Sequence, residues 1–490
     1  MWLLVLILGT ITYYLIKRTV APITDTPVWI VWLIMMGPAL IWTIWYEIVG
    51  GDKPIPTLLI VIPLIVCLIL YLYVIKIGKV KTLPKQEAQN LVSPHETGKN
   101  INDTPAILPI TAIEEKALRE CFPWRIYHLQ DINYRPQTIL CHGKLKTLPE
   151  KAYNFVKNNI EKIFGDRFLV LFQEGLKGNH FFALVPNPHS KKEIEKSLKK
   201  PILAFGLLLL TLLTTTMVGT FQIVNIEQEF VGNNLVIFLE GLPYSLGLIS
   251  ILGVHEFSHY LTTVRYKVAA TFPYFIPIPF FLGTFGAFIQ IKSPIPHRKA
   301  LFDIAISGPL GGFLITLPLL VWGISLSDVV PLPIEENISL LNTKALDPRF
   351  SMLFTMLVKL VLGSHFIAGK VISLHPLAVA GYVGLIVTAL NLIPVGQLDG
   401  GHIVHAMFGQ RIAIMIGQLT RILMLILAMN RPEFLIWAIL LFLMPIFDQP
   451  ALNDVTELDN TRDFIGLCTL TLLLLILLPV PSFITHWLQI

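Results

Sequence analysis

The sequence predicts a polytopic α-helical membrane protein with a small α+β module set into it, and three observations predict this. Of 490 residues, 54% are hydrophobic and only 14% charged, with a mean hydropathy of +0.68, far from the usage of soluble globular domains. Apolar runs recur at lengths that cross a hydrocarbon core of about 30 Å as a helix. A single long polar region, about 78–200, interrupts them. Helices must carry the runs, because lipid offers no partner to backbone N–H and C=O groups.

The runs are Trp2 to Ile16, Val28 to Ile48, Leu58 to Ile77, Leu203 to Val224, Leu242 to Val264, Phe302 to Ile324, Leu377 to Ile393, Ile412 to Met429, Phe434 to Phe447 and Phe464 to Pro479. They make about nine to ten spans, some of them short. Trp2 to Ile16 has neither the basic start nor the small-residue cleavage site of a secretory signal, so it reads as a retained anchor. Three regions follow: an anchor of three spans (1–77), an α+β module (78–200) and a larger membrane domain (201–490).

Within the module, a helical pattern near Ile113 to Cys121 precedes the alternating stretch "QTILCHGKLK". Next come an amphipathic helix, "PEKAYNFVKNNIEKIFGD", and two further strands, "RFLVLFQE" and "HFFALVPN". A charged helix, "SKKEIEKSLKK", leads back to the apolar runs. Lys17 and Arg18 follow the first run and Lys76, Lys79, Lys81 and Lys85 the third, whereas the intervening loop carries Glu47, Asp52 and Lys53. The positive-inside rule therefore puts 78–200 on the cytoplasmic side. The basic surface suits solvent beside anionic membrane lipid, and the sequence holds no interleaved stacking motif for nucleic acid. Four cysteines without a CxxC suggest neither a disulfide framework nor a cysteine zinc site.

Chemistry concentrates in two motifs. In "HEFSH", His255 and His259 stand four residues apart on one helical face, where both imidazoles reach one zinc ion, and Glu256 stands beside its water. Ionisable groups in an apolar run are costly and usually functional. In "NLIPVGQLDGGH", Asp399 is an anionic candidate for the third ligand of a zinc peptidase, with a fourth position left for water. Pro394, Gly400 and Gly401 are expected to break the helix there and free the carboxylate to turn.

With these motifs the chain resembles the site-2 protease family of intramembrane zinc metalloproteases, peptidase family M50, whose signatures are HExxH and NxxPxxxxDG. His255, Glu256 and His259 match the first; Asn391, Pro394, Asp399 and Gly400 match the second. The stretch "FIPIPFFLGTFGAFIQIKSPIPHRKALFDIAISGPLGG", 275–312, looks like the family's membrane-embedded β-hairpin and its glycine-rich helix. The amino-terminal module, with no inserted PDZ-like domain, is similar to the cyanobacterial and chloroplast branch related to the EGY proteins. That branch often carries GNLR where this chain reads "GKLK", Gly143 to Lys146.

The resemblance implies one Zn2+ ion on His255, His259 and Asp399, with Glu256 moving the water's proton. It also implies regulated intramembrane proteolysis of membrane-spanning substrates, in a plasma or thylakoid membrane. Asn391, by its amide chemistry and this likeness, is expected to orient substrate backbone or stabilise the oxyanion. Gly283 and Gly286 allow bending or close backbone approach, and "AFIQIKS" alternates like a strand, so the segment reads either as an edge to which an extended substrate adds or as a structural re-entrant hairpin. Pro394 belongs with this substrate-binding set.

Other motifs read more plainly. "SGPLGGF" suits close helix packing, since no GxSxG is present. His402 and His405 share a helical face and read as polar residues at a helix mouth, and His297 as an interfacial residue. Two other functions stay open at this point: a zinc-sensing or zinc-transporting membrane protein, and a proteolytically inactive scaffold. A transporter prefers several polar spans along a path, and a scaffold has no need of intact catalytic positions.

Overall fold

The structure, a computed structural model, describes residues 27–49, 110–135, 138–175, 178–187, 201–224, 236–279, 282–331, 346–367, 369–430, 434–446 and 448–488, with scattered single positions between 9 and 74. The chain divides into two compact units. One joins 1–107 with 421–444; the other joins 108–420 with 445–490, so the α+β module and the motif-bearing helices share a unit. The expected runs Trp2 to Ile16 and Leu58 to Ile77, the linker after them and the helix "SKKEIEKSLKK" lie wholly or largely outside the described residues.

In the first unit, α1 (Val28–Val49) is apolar from Val28 to Trp45 and carries Pro38 inside it. The second unit begins with α2 (Ala112–Glu120), opened by a reciprocal capping box between Thr111 and Glu114. The strands β1 (Tyr127–Arg135) and β2 (Thr138–Leu145) follow, then the amphipathic α3 (Pro149–Phe164), and then β3 (Phe168–Glu174) and β4 (His180–Pro186). The sheet is antiparallel in the order β1-β2-β4-β3.

Helices α2 and α3 and strands β2, β3 and β4 fall where periodicity expects them. Strand β1 does not announce itself, because a register shift between Leu129 and Asp131 moves its apolar residues from odd positions (Tyr127, Leu129) to even ones (Ile132, Tyr134). Leu118, Tyr127, Val156, Ile160, Phe172, Phe182 and Leu184 fill the core of the module, and Val455, from far along the chain, joins them.

The helical part continues with α4 (Pro201–Val218) and α5 (Leu242–Arg265). An antiparallel hairpin follows, β5 (Tyr274–Pro277) and β6 (Thr284–Phe288). Beyond it lie α6 (Arg298–Ser325), β7 (Asp328–Pro331), α7 (Met352–Leu362), β8 (Lys370–Ser373) and α8 (Pro376–Leu392). The chain ends with α9 (Asp399–Phe408), α10 (Gln410–Asn430), α11 (Leu435–Leu443), α12 (Asn460–Leu477) and α13 (Ser482–Leu488).

Among the described residues six helices are long and apolar enough to cross a membrane: 28–45, 201–224, 237–265, 298–325, 410–429 and 460–477. The expected run Leu377 to Ile393 is the 17-residue α8. Phe434 to Phe447 shortens to the nine residues of α11. Helix α7 escapes the hydropathy reading because Lys359 breaks a run of only eleven residues; its ammonium reaches the Phe366 carbonyl at 3.0 Å.

Within the first unit, Arg421 is only 2% exposed and donates to the carbonyls of Leu441 and Met444 at the end of α11. A cation on unpaired helix-end carbonyls offsets its own burial.

The hairpin differs from its expected extent. The strand in "AFIQIKS" starts earlier, at Thr284, and its regular pairing stops at Phe288. Residues 290–292 instead bond with 269–271. Pro273, which has no N–H, falls between the two ladders and accounts for the break.

Candidate metal centre

Helix α5, which carries HEFSH, packs against α6 and α8, and α6 also against α9, so three other elements gather around it. His255, Glu256 and His259 are all buried. Asp399 is the first residue of α9, and the helix interruption that aims it runs over 393–398. Pro394 lies in that interruption as expected, and the turn is completed by Gly396 at φ 55°. Gly400 and Gly401 correct the expectation: they lie inside α9, where any side chain would meet the Leu392 and Gly396 carbonyls. Their role is close approach, which seats the start of α9 against the end of α8.

The three ligand atoms form a nearly equilateral triangle. His255 Nε2 and His259 Nε2 are 3.2 Å apart, and each lies 3.4 Å from Asp399 Oδ2. These two contacts exceed the 2.7–2.9 Å usual for a charge-assisted hydrogen bond. They match the edge of a tetrahedron around zinc, about 3.3 Å for metal–ligand bonds of roughly 2.05 Å. These residues are the one group of three or more among the described residues that meets the geometry of a metal site. The donor set of two imidazoles and one carboxylate therefore fits Zn2+.

Orientation is set from behind. His259 Nδ1 lies 2.7 Å from the Ile304 carbonyl, which can only accept, so Nδ1 carries the proton and Nε2 presents its lone pair. Helix α6 comes this close because its small residues face α5. A side chain at Gly308 would fall on the His259 ring, one at Gly311 on Ser258, and one at Gly312 on His255. "SGPLGGF" is thus a packing surface, as its composition suggests, and it is fitted to the two histidines.

Glu256 Oε1 is 4.0 Å from His255 Nε2, and its carboxylate lies near the Ile289 backbone N–H, just past β6. Asn391, on the last turn of α8, puts its amide nitrogen 3.2 Å from His255 Nε2. Gly283 (φ 82°) and Gly286 (φ 102°) both have backbone that disfavours side chains. Gly283 also abuts the Thr215 backbone on α4, and Thr214 and Tyr244 bond the carbonyls of Gly283 and Leu282. Gly286 has open space around it.

One cluster is not what its residues suggest alone. His405 is fully buried, with Nδ1 2.6 Å from Asp448 and Nε2 3.0 Å from Asp454. His402 Nδ1 is 2.8 Å from the other Asp448 oxygen. The reading as polar residues at a helix mouth is therefore corrected for His405, a charged residue clamped between carboxylates. Burial opposes its charge, but the bonds to Asp448 and Asp454 outweigh this and push its pKa up to about 9. His297 Nδ1 accepts the Ala300 N–H and caps the start of α6.

A profile of peptidase family M50 matches residues 243–429, which hold both motifs. The chain is 35% identical over 240 residues to the probable zinc metalloprotease EGY1, chloroplastic, of Arabidopsis thaliana, covering 49% of this chain and 43% of that protein. It is 30% identical over 348 residues to the probable zinc metalloprotease EGY2, chloroplastic, of Oryza sativa subsp. indica, covering 70% and 62%. Against the probable zinc metalloprotease EGY3, chloroplastic, of the same subspecies it is 27% identical over 391 residues, covering 75% and 64%. The chain thus spans between two fifths and two thirds of these relatives' own lengths. No solved structure gives a significant match.

Proposed function

We propose that this chain, matched over residues 243–429 by the profile of peptidase family M50, is a member of that family and an intramembrane zinc metalloendopeptidase that hydrolyses peptide bonds in membrane-spanning segments of other proteins. The observation that carries this reading is the ligand triangle of 3.2, 3.4 and 3.4 Å with a buried glutamate at its side. Zinc, when bound there, supplies Lewis acidity that polarises a peptide carbonyl and acidifies water.

The residues around it divide the remaining work. Glu256 takes the proton of the attacking water and returns it to the leaving amine. Asn391, its amide 3.2 Å from a ligand nitrogen, donates to the carbonyl oxygen as negative charge builds on it. A helical substrate hides its carbonyls in its own hydrogen bonds, so it must be held extended. The hairpin is suited to this, since the chain leaving β6 passes beside Glu256 at Ile289, and an added strand on that edge would arrive beside the general base. One zinc ion, substrates that are single-span proteins, and a plasma or thylakoid membrane with 78–200 on the cytoplasmic side complete the reading. Six helices able to cross a membrane and the chloroplastic names of relatives support it.

The test is Glu256→Gln in membranes or detergent, with a single-span substrate. Cleavage should fall by roughly 10²–10⁴-fold while zinc content stays at one ion per chain. Normal cleavage by that variant would sink the peptidase mechanism. Zinc binding without any cleavage by the unaltered protein would favour a sensing, transporting or scaffolding role.

A further inference from the structure

We propose that Asp448 and Asp454 are positioning residues for the metal ligand Asp399, and that the α+β module sets this position through the strand segment 452–454. The inference rests on the zinc site proposed above and extends it to a part of the chain that touches no metal ligand.

Asp399 sits at the first position of a ten-residue helix, so its place is only as good as the hold on that helix. His402 and His405 lie one and nearly two turns further along α9. Asp448 reaches both: one carboxylate oxygen bonds His405 Nδ1 at 2.6 Å, the other lies 2.8 Å from His402 Nδ1 as an ion-pair contact without hydrogen-bond alignment, and Asp454 bonds the far side of His405 at 3.1 Å. Arg298, at the start of α6, adds a bond to the Ala406 carbonyl at 2.8 Å. The His405 ring has both nitrogens committed and no exposure. A buried charge held this way resists small displacements, because losing either partner leaves an uncompensated charge.

Asp454 does not arrive on a free loop. The Phe172 N–H on β3 donates to the Leu452 carbonyl at 2.7 Å, and the Asp454 N–H returns a bond to the Phe172 carbonyl at 2.9 Å. On its other side the same segment bonds Ile295 and Pro296 at 2.9 and 3.0 Å. Residues 452–454 therefore form a short parallel strand between the edge of the module's sheet and the residues that open α6. Val455 then enters the core of the module. A sheet edge normally left exposed is covered here by the segment that carries the histidine clamp.

Two rigid paths leave this strand for the metal site. One runs from Asp454 through His405 and α9 to Asp399. The other runs from 295–297 into α6, whose Ile304 carbonyl orients His259. Displacing β3 would move the third ligand and the orienting carbonyl of the second together.

The experiment uses the full chain in lipid nanodiscs. Zinc affinity is measured by chelator competition, and the visible spectrum of the cobalt-substituted protein is recorded, for the unaltered protein, Asp448→Asn and Asp454→Asn. Each variant should lose about 10–100-fold in affinity, as outer partners of metal ligands do, and should shift the cobalt spectrum while circular dichroism stays unchanged. In the unaltered protein zinc should slow hydrogen exchange in 168–174 and 452–455, because coupling between sites is reciprocal. This last measurement needs no variant to fold. Unchanged affinity and cobalt spectrum in both variants, or exchange in those segments indifferent to zinc, would overturn the inference and leave the peptidase reading standing. An unaltered protein that binds no zinc would overturn both.

Discussion

Two clusters of histidine and aspartate lie in the same unit, a few residues apart on α9, and they are built for opposite ends. In the first, His255, His259 and Asp399 hold their ligand atoms 3.2–3.4 Å apart, too far for strong direct bonding and right for a shared cation. In the second, His405 bonds Asp448 and Asp454 at 2.6 and 3.1 Å and leaves no ring nitrogen to offer. The difference lies in where the protons go. The backbone carbonyl of Ile304 takes the outward proton of His259 and so bares its inward nitrogen, whereas carboxylates on both sides keep His405 doubly protonated. Residue type alone does not separate a metal site from a structural clamp; the partner of the second nitrogen does.

The hardest blow to this contrast is Asp399→Ala, which removes a ligand from the first cluster and leaves the second whole. Zinc content should drop towards zero and cleavage with it, while the fold persists because the clamp still holds α9; metal analysis beside circular dichroism checks this. Gly308→Ala comes next. The new methyl falls on the His259 ring, and overpacking costs about 1–3 kcal/mol. Zinc affinity should weaken by roughly one to two orders of magnitude, although no ligand has changed. Affinity equal to that of the unaltered protein would mean that α6 is not fitted to the histidines.

The first cluster was legible in the sequence and the second was not. HExxH places two imidazoles on one face by helical period alone, and the aspartate of the second motif comes with a proline that interrupts its helix. His405, in contrast, meets carboxylates 43 and 49 positions away, in a stretch with no period to mark it. The module's elements were readable wherever alternation held, and β1 was lost at the bulge that shifts its phase. The strand at 452–454 is too short for any pattern. Gly400 and Gly401 looked like helix breakers because composition cannot distinguish a glycine needed for its backbone from one needed for its missing side chain.

A milder change tests a region belonging to neither cluster. Gly286→Val forces a branched side chain onto a backbone at φ 102°, in open space where no clash is added. Strain of about 1–3 kcal/mol should fall on the hairpin. Cleavage should drop by about tenfold or somewhat more, and zinc content should stay unchanged. An equal loss of both would assign the hairpin to support of the metal site, not to substrate.

The smallest expected effect separates the two clusters by pH. The pKa of His405 is pushed from 6.5 up to about 9, so its proton stabilises the folded chain. That contribution is full below about 6.5 and is lost as the pH climbs through about 9. The charged and titratable groups facing it are Asp448, Asp454 and His402, with Arg298 bonded to the neighbouring Ala406 carbonyl. Between pH 7 and 9.5 the zinc-loaded protein should lose a few degrees of melting temperature, on the order expected for one or two kcal/mol in a large domain. In His405→Gln that slope should flatten, since the group that releases the proton is gone. Scanning calorimetry at fixed zinc measures both slopes, and an undiminished slope in the variant would place the titrating group outside the clamp.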